Sequence, residues 1–597
     1  MIATPPTDNP VDAPTRLPRP VSALLTARAT LPLILLLAFV VRAVLIARAP
    51  GVLDGDEALV GIQAERIAAG VERPLPVFFY GQYYMGALEA YLAAGVFRLV
   101  GPSVAALRLV PLLFALALVA LTYELARRTA GRTAARYAAL LAAVPPLYVG
   151  VWSLKARGGY VETLALGTAL LVVTHRLLYG PPAAGLAAVS PPPPVERFPL
   201  LLWRARSWGW WLAWGLLAGL LFWINPVSLY YTLTGAGALG VSALRRHGVR
   251  EAWRWLPRAR PALALVALGV LVGGLPLWID NVARRGATFA YLLAGSGGGP
   301  GGESPIARAP RVANAFFSLV LPKFVGAWAP WGGVSLRPLD ALALLLYALA
   351  GAYLLLRVAA GRRGVLRYRA RPRHGQGLLL AFAVVVAVLF CLSGFGAAAL
   401  NTFGFDAASR YALPLVSVLP VAAGALIWRL EHAWRPLGAA ALAVLLLADG
   451  LGYVTPRPNA VFQSEYWAKL PPSEAPLVDA LRARGIRDIW INHWAGYPLM
   501  FEADRRDPNA LFAADYNDVA LHGGVNRLPW ALRRVAADPR AAYVLVTFEP
   551  HPPLEALLRD KQRVTFQRTR VGPYLVFWDL SRPVPPSAVA AGLGFSY

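Results

Sequence analysis

The sequence predicts a polytopic α-helical membrane protein that ends in a small α/β domain outside the membrane. First, 57% of its 597 residues are hydrophobic, a share that excludes an ordinary soluble enzyme of this length. Second, apolar runs of about 20 residues, each able to cross a hydrocarbon core of ~30 Å, recur up to residue 453. Third, short apolar strands alternate with amphipathic helices from residue 454 onward.

Eleven membrane spans are predicted, near residues 30–48, 103–126, 134–152, 160–178, 208–224, 227–244, 261–280, 338–357, 377–398, 411–429 and 435–453. Counted alternately from a cytoplasmic N terminus, they place the Arg-rich loops inside, as the positive-inside rule requires; these loops are 127–136, 245–260 and 357–373. The first outer loop, residues 49–102, and everything after 453 then lie outside. We therefore expect a multi-pass protein of the inner or plasma membrane.

The chain divides into three predicted regions: a disordered cytoplasmic tail (1–29), a transmembrane domain (30–453) and an extracytoplasmic α/β domain (454–597). In the last region, "DIWINH" and "AAYVLVTF" predict buried strands, "SEAPLVDALRARG" and "LPWALRRVAADP" predict helices, and "RVTFQRTRVGPYLVFWDL" predicts a hairpin. This domain shows no nucleophile–base signature.

The net charge of +26 does not indicate a nucleic-acid partner. Residues 454–597 are nearly balanced, with 17 basic and 14 acidic side chains, so the excess lies in short loops beside the spans. No groove-reading motif accompanies it. The one cysteine, Cys391, lies in an apolar span, which excludes disulfides within the chain and cysteine-based metal sites.

The first outer loop is predicted to contain two amphipathic helices that lie on the membrane surface. One is "DEALVGIQAERIAAG"; the other is "FYGQYYMGALEAYLAAGVFRLVG", in which Tyr80, Tyr84, Leu88 and Tyr91 recur every three or four residues. Tyrosine favours the headgroup region because one edge of its ring stays hydrated. The alternative is that both helices only connect and pack the spans.

Three carboxylates, Asp54, Asp56 and Glu57, lie in "GVLDGDEALVG" directly after the first span. Helix capping alone would explain them, because an aspartate at the N-cap and an acidic first turn favour a helix start. Their position at the outer membrane surface and at the head of an elaborate loop favours a functional role as well. Other polar residues also recur at this level, in "SLKARGGYVET", "INPVS" and "SRYALPL".

Cations at the same outer level complement these carboxylates. Lys155 and Arg157 follow the third span, with Gly158 and Gly159 allowing the backbone to turn, and Arg410 begins the tenth span. Such donors suit a phosphate, and a carboxylate suits a proton from a hydroxyl. The alternative is that Lys155, Arg157 and Arg410 only anchor the span ends among lipid headgroups. Arg108 is a further candidate that either joins them or pairs with the acidic loop. The combination predicts transfer of a sugar from a lipid phosphate to an acceptor hydroxyl.

Four segments carry a family resemblance: "LDGDEALVGIQAERIAAG", "GQYYMGALEAYL", "GPSVAALRLVPLLFALALVALTYELARRTAG" and "SRYALPLVSVLP". Together they resemble the GT-C superfamily of membrane glycosyltransferases, in its dolichyl-phosphate-mannose–protein mannosyltransferase-like and aminoarabinose-transferase-like branches, over roughly residues 30–430. The resemblance implies that Asp56 is the base, with Glu57 beside it. Asp54 is predicted to act as an orienting or capping residue. The predicted residues for lipid phosphate and sugar are Lys155, Arg157, Arg410, Arg108, Tyr83, Tyr84, Tyr160 and Glu162.

The resemblance implies a hexosyl- or pentosyl-transferase whose partners are a polyprenyl-phosphate sugar, membrane lipid and a glycan, lipid or protein acceptor. No cofactor is predicted: a divalent metal is compatible with the carboxylates, but the second outer loop offers only Glu162 where some family members carry a second acidic motif. The alternatives are a transporter and a lipid-sugar flippase or binding protein. A transporter should carry ionisable residues within its spans, whereas the predicted spans are nearly charge-free. Arg42 is the exception, and it is expected to snorkel to the outer end.

Overall fold

The structure is a computed structural model. It describes residues 30–180, 205–248, 252–297, 303–329, 333–334, 337–362, 375–400, 408–454, 462–463, 467–507, 509–516, 527–548 and 554–592. The tail predicted over residues 1–29 lies outside these ranges. The described chain is mainly helical and ends in a small sheet domain, which confirms the predicted fold class.

The described helices of the membrane part are α1 (Thr30–Arg48), α2 (Gly55–Ala68), α3 (Leu88–Val100), α4 (Val104–Thr129), α5 (Arg132–Ala143), α6 (Leu147–Trp152), α7 (Tyr160–Tyr179), α8 (Ala205–Ile224), α9 (Leu229–His247), α10 (Ala252–Gly273), α11 (Leu275–Ala283), α12 (Ala287–Gly297), α13 (Pro305–Ala315), α14 (Leu321–Phe324), α15 (Pro338–Arg362), α16 (Gln376–Leu392), α17 (Gly394–Ala397), α18 (Leu419–Ala433) and α19 (Arg435–Gly452). Strands β1 (Trp328–Ala329) and β2 (Gly333–Val334) form a small antiparallel pair.

Within the described residues, six helices are long and apolar enough to cross a membrane, and nine spans result if each of three bent helix pairs counts as one. The bent pairs are 259–283, 376–400 and 409–433. Two further predicted spans have a different form: 208–224 is a shorter apolar helix, and 134–152 is divided into α5 and α6. The chain is a multi-pass membrane protein, whereas the total of eleven spans stays a prediction.

Arg42 does not snorkel as expected from the sequence, because it is buried at the break between α5 and α6. The backbone carbonyls at the end of α5 have no partner within their own helix. Arg42 donates to two of them, Ala143 O at 3.1 Å and Ala142 O at 3.3 Å, and its Nε donates to Ser153 Oγ. A charge inside the bundle thus replaces the missing helical hydrogen bonds.

The first outer loop contains two helices, as predicted, but the second begins at Leu88 and not near Tyr80. Before it the backbone turns back, with Phe78 bridging Gly86, so Tyr80 and Tyr84 lie outside the helix. Helix α2 is buried over most of its length, with Leu59 and Ile62 wholly enclosed. It is therefore covered mainly by protein.

The C-terminal domain is built on a five-stranded mixed sheet. Its strands are β3 (Asp488–Ile491), β4 (Phe512–Asp515), β5 (Ala542–Val546), β6 (Gln567–Val571) and β7 (Tyr574–Trp578), and its helices are α20 (Ala475–Ala483), α21 (His493–Asp504), α22 (Pro529–Ala537) and the short α23 (Leu554–Ala556). The strand order is β4-β3-β5-β7-β6. β3 runs parallel to β4 and β5, whereas β6 and β7 form the predicted antiparallel hairpin beside β5.

The C-terminal domain packs directly on the first outer loop through α2 and α21. Leu59 and Ile62 of α2 share one buried core with Met500 and Phe501 of α21. The helices approach so closely at Gly61 that a Cβ there would lie 2.6 Å from the Phe501 ring. The loop and the domain therefore form one continuous structure at the same side of the membrane.

Candidate functional site

The start of α2 is a capping box formed by two of the three carboxylates. Asp54 is the N-cap and accepts from Glu57 N at 2.8 Å, while Glu57 Oε2 accepts from Asp54 N at 3.3 Å. This reciprocal pair satisfies backbone donors that a helix start leaves open. The structural explanation of the acidic cluster is thus correct for Asp54 and Glu57, and it leaves Asp56 outside the cap.

The cations predicted to face these carboxylates lie on residues 153–159, here called the cation loop, between α6 and α7. Gly158 and Gly159 have φ angles of 71° and 73°, a left-handed conformation that side chains other than glycine rarely adopt. The predicted backbone turn is therefore confirmed. It directs the loop back over the start of α2, where Lys155 and Arg157 meet the acidic cluster.

Four charged side chains form one ion-pair cluster. Lys155 Nζ lies 2.8 Å from Asp54 Oδ2, and Arg157 Nη1 lies 3.0 Å from the same oxygen. Arg157 also makes two contacts with Asp56 Oδ2, from Nε at 2.9 Å and Nη2 at 2.7 Å. Asp56 is the more open carboxylate, with 15% of its side chain exposed against 6% for Asp54. Arg157 is thus shared between the two aspartates.

The surroundings of α2 shift the pKa values of its two neighbouring carboxyls in opposite directions. Burial alone would raise the pKa of Asp56, but the guanidinium of Arg157 holds it well below its usual value. Weaker contributions to this lowering come from Arg527, from His493 in its protonated form, and from Arg410. Burial raises the pKa of Glu57 above its usual value, although Arg108 opposes that rise. Asp56 is therefore the ionised member that faces the cations.

Arg108 lies behind the cluster and does not face Asp56. Its fully buried guanidinium donates to the carbonyls of Ala49 and Val52 and lies 3.7 Å from Glu57 Oε1. It also stacks over the Phe462 ring at 3.9 Å. Of the two roles considered for Arg108 from the sequence, the structure places it in the one that pairs it with the acidic loop.

Arg410 belongs to an aromatic patch beside the cluster. Its Nη2 donates to Tyr411 Oη at 3.1 Å, it lies within hydrogen-bonding reach of Tyr160, and its charge acts on Asp56. Tyr84 completes the patch: its ring stacks on Tyr291 at 4.9 Å, and its hydroxyl interacts electrostatically with Tyr160 and Arg410. Three of the predicted substrate-binding residues, Arg410, Tyr84 and Tyr160, are thus brought together.

The other two predicted substrate-binding residues lie elsewhere. Tyr83 is 46% exposed, and its ring lies 4.8 Å from the Arg284 guanidinium. Glu162 is buried against Glu89 of α3, which also accepts from Gly159 N at 3.1 Å. Burial and repulsion from Glu162 raise the pKa of Glu89 well above its usual value. Glu89 therefore anchors the cation loop from behind, through its bond to Gly159 N.

The C-terminal domain contributes side chains to the cluster that sequence analysis missed. Arg527 Nη2 lies 3.9 Å from Asp56 Oδ1, and the Trp494 ring lies 5.6 Å from the Arg157 guanidinium. His493 packs against Gly55: a Cβ at residue 55 would lie 2.9 Å from the backbone carbonyl oxygen of His493. The available signal was the position of His493 and Trp494 at the end of the predicted strand "DIWINH", since the ends of parallel strands commonly carry functional residues.

A metal ion has no evident ligand set within the described part of the chain. No three His, Cys, Asp or Glu side chains there are grouped as a metal ion would require. The carboxylates of Asp54 and Asp56 are met by Lys155 and Arg157 instead. We assign no metal ligand.

Comparison with known sequences gives one family match. The sequence profile of the family described as dolichyl-phosphate-mannose-protein mannosyltransferase matches residues 86–179. This stretch begins just before α3 and ends with α7, and it includes the cation loop. No curated protein matches the chain.

Comparison with solved structures extends over nearly the whole chain. ArnT from Cupriavidus metallidurans bound to undecaprenyl phosphate is 14% identical, with a TM-score of 0.57 over 96% of this chain and 100% of that chain. Its apo structure gives 15% identity, the same TM-score and the same coverage. The archaeal oligosaccharyltransferase AglB from Archaeoglobus fulgidus, in complex with an inhibitory peptide and a dolichol-phosphate, is 13% identical, with a TM-score of 0.44 over 87% of this chain and 70% of that one.

Proposed function

We propose that this chain, whose resemblance to the GT-C superfamily of membrane glycosyltransferases is confirmed by these comparisons, moves a sugar from a polyprenyl-phosphate donor to an acceptor hydroxyl. The sugar is a hexose or pentose, and the acceptor is a glycan, a lipid or a protein. The reaction takes place at the outer surface of the membrane, where the first outer loop meets the C-terminal domain.

The observation that carries this proposal is the sharing of Arg157 between Asp54 and Asp56. A phosphate that enters the cluster offers the guanidinium the same planar pair of oxygens as a carboxylate does. Lys155 adds a second charge on the same loop, 2.8 Å from Asp54. The cluster therefore contains both the cations that a lipid phosphate needs and the carboxylate that an acceptor hydroxyl needs.

The proposed reaction needs one base and no general acid. The acceptor oxygen attacks C1 of the sugar, and its proton passes to Asp56. The bond between C1 and the phosphate oxygen breaks, and its electron pair leaves with the polyprenyl phosphate, which Lys155 and Arg157 stabilise. Because a phosphate is already a good leaving group, the second carboxyl that glycoside hydrolysis requires is unnecessary.

Donor binding would also prepare Asp56 for its role. The pKa of Asp56 is low because Arg157 compensates its charge. When a phosphate takes up part of the Arg157 charge, Asp56 loses some of that compensation and becomes a stronger base. The ion pair thus makes base strength depend on the presence of the donor.

The known proteins that the chain resembles support the choice of donor. The ArnT structure contains undecaprenyl phosphate, and the family whose profile matches residues 86–179 is named for dolichyl-phosphate mannose. Both names describe a sugar carrier made of a polyprenyl chain and one phosphate. We propose the same donor class for this chain, without assigning the same sugar.

The test is an assay on purified protein in nanodiscs with radiolabelled polyprenyl-phosphate sugars and membrane extracts as acceptor. We expect release of polyprenyl phosphate together with labelled acceptor, and no release by Asp56→Asn. The same protein in sealed vesicles separates the alternatives. Movement of intact donor across the bilayer without cleavage would contradict the transferase and support a flippase or transporter.

A further inference from the structure

We propose that His493, held by Asp515, takes up the proton that Asp56 receives from the acceptor hydroxyl. The C-terminal domain would then supply a working part of the reaction centre. This inference rests on the proposed function and extends it to a residue pair that lies more than 400 positions from Asp56 in the sequence.

The His493–Asp515 pair is a product of the sheet topology. β3 and β4 run parallel with Ile491 opposite Asp515, so both strands end at the same edge of the sheet. Asn492 then caps α21, and His493 is the first residue of that helix. His493 Nδ1 lies 2.8 Å from Asp515 Oδ2. Side chains at the carboxyl ends of adjacent parallel strands commonly converge on a functional site.

The hydrogen bond to Asp515 assigns the tautomer of His493. A carboxylate oxygen accepts, so Nδ1 carries the hydrogen of the neutral ring and Nε2 keeps its lone pair. Asp515 is 3% exposed and His493 is 23% exposed, so the carboxylate is enclosed while the ring remains open to solvent. This arrangement stabilises an imidazolium when Nε2 takes up a proton.

The ring of His493 lies against the start of α2. Its Cδ2, which is bonded to Nε2, is 3.2 Å from the position that a Cβ on Gly55 would occupy. Gly55 is the residue between Asp54 and Asp56, so only a glycine permits this approach. Asp515 from β4 is hydrogen-bonded to His493, and Asp56 from α2 interacts with His493 electrostatically. Asp56 is in turn paired with Arg157 and Arg527.

The proton balance of the proposed relay is closed. The O–H bond of the acceptor breaks, and its electron pair forms the new bond to C1. The proton passes to Asp56 and from there to His493 Nε2, while the electron pair of the broken C1–O bond leaves with the phosphate. The imidazolium then releases the proton to solvent through the exposed part of the ring, so Asp56 is ionised again for the next turnover.

A purely structural role for His493 makes different predictions. Its ring also packs on Trp494 at 4.4 Å and Tyr497 at 5.9 Å, and its bond to Asp515 joins the ends of two strands. Loss of these contacts would lower the unfolding temperature and donor affinity together. Loss of a proton acceptor would lower kcat and change its pH dependence while donor affinity stays the same.

The test compares His493→Gln, Asp515→Asn and the control His432→Gln, a histidine exposed at the end of α18. The readouts are kcat in the transfer assay, the Kd for the polyprenyl-phosphate donor, and the unfolding temperature. The assay runs from about pH 5.5 to about pH 9, a range that contains the ordinary pKa of histidine. We expect His493→Gln to reduce kcat about 100-fold and to change the pH dependence of kcat. Asp515→Asn should also lower kcat with donor affinity retained, because the ring loses the carboxylate that fixes its tautomer.

Two outcomes would overturn the inference. A His493→Gln variant with the kcat and pH profile of the parent would exclude a proton role. A variant that loses donor affinity and unfolding temperature together would assign the pair to structure alone. The control should match the parent throughout. Parent protein that transfers no sugar would contradict the proposed function together with this inference, whereas an active parent with an unaffected His493→Gln would contradict the inference alone.

Discussion

At the scale of single residues, the site is a balance between two carboxylates and two cations in which Arg157 is the common member. It contacts Asp54 at 3.0 Å and Asp56 at 2.7 Å, and only 9% of its side chain is exposed. Charges this deeply enclosed are stable only when paired, so removal of any one partner leaves another uncompensated. Substitutions at these residues should therefore separate function from folding according to which pairs they break.

Asp56→Asn is expected to abolish sugar transfer, because an amide cannot accept the proton of the hydroxyl. We expect a loss of at least about 100-fold in kcat, with donor affinity nearly retained because Arg157 and Lys155 remain. Asp54→Asn should act more mildly on kcat and lower the unfolding temperature, since asparagine still caps α2 but leaves the buried Lys155 without its carboxylate. Turnover assays and thermal unfolding of both variants check this; near-normal turnover in Asp56→Asn would rule out its assignment as the base.

Arg157→Lys is expected to weaken donor binding although the charge is kept. The guanidinium contacts Asp54 and Asp56 together, and a lysine ammonium lacks that planar fork. Arg157→Ala and Arg410→Ala should raise the donor Kd at least about tenfold with little change in acceptor dependence. Arg98→Ala, on α3 with a side chain that donates to Ala68 O, is the control. Unchanged donor binding in both alanine variants would show that these residues only anchor the helices.

At the scale of elements, α2 and α21 form the contact on which the site depends. Their buried face contains Glu65 of α2, opposite Asp504 of α21. Burial raises the pKa of Glu65 to about 9, with repulsion from Asp504 adding to the rise. Burial likewise raises the pKa of Asp504 to about 7. The contact between loop and domain therefore forms most readily when these carboxyls are protonated.

Glu65→Gln is expected to stabilise the protein at alkaline pH and to leave its stability unchanged near pH 4.5. The folded pKa of Glu65, about 9, lies above the ordinary value of 4.5, so its contribution to stability is complete below pH 4.5 and is lost as the pH rises toward 9. Glutamine is neutral throughout and avoids that loss. Thermal unfolding at both ends of this range checks the effect.

The control for Glu65→Gln is Glu555→Gln, in the short helix α23. There the hydrogen bond from Arg568 lowers the pKa of an exposed carboxyl, so its replacement should give no gain at alkaline pH. The test pH of about 8.5 lies close to the raised pKa of Glu65, about 9. If the parent and Glu65→Gln had the same unfolding temperature there, Glu65 would be ionised in the fold and the interface would lack this pH dependence.

Elements with a long regular pattern could be predicted from the sequence, whereas the start of α3 could not. The spacing of Tyr80, Tyr84, Leu88 and Tyr91 fits a helix, yet the helix begins only at Leu88. Before it, Gly86 donates to Ile224 O from a position where a Cβ would lie 2.7 Å from Trp223 O. The turn is thus held by α8, more than 130 residues away, and no local pattern contains that information.

At the scale of the whole molecule, the predicted half of the site is the half that charge complementarity can identify. The pairing of Asp54 and Asp56 with Lys155 and Arg157 could be predicted because opposite charges were expected at the same depth. His493 and Arg527 escaped prediction because their approach to α2 depends on how a complete domain docks. That docking rests on small residues, such as Gly55 and Gly61, and on the parallel ends of β3 and β4.

The docking of the C-terminal domain also constrains the topology. Because α21 packs on α2, the first outer loop and the domain lie on one side of the membrane, so the chain crosses an even number of times between residues 103 and 453. Six helices and three bent pairs give nine spans, of which eight follow the first loop. If each bent pair crosses once, residues 134–152 and 208–224 either both cross or both do not cross. The prediction of eleven spans corresponds to both crossing.

Cysteine labelling tests the side on which the site lies. In a Cys391→Ala background, Ser473→Cys in the exposed segment before α20 should react with an impermeant maleimide on intact cells. Gly364→Cys, within the Arg-rich loop 357–373, should react only after the cells are permeabilised, because arginine clusters beside spans are retained in the cytoplasm. Labelling of Gly364→Cys alone on intact cells would invert the topology. Since the domain packs on α2, that result would move the acidic cluster, and the sugar transfer proposed for it, to the cytoplasmic surface.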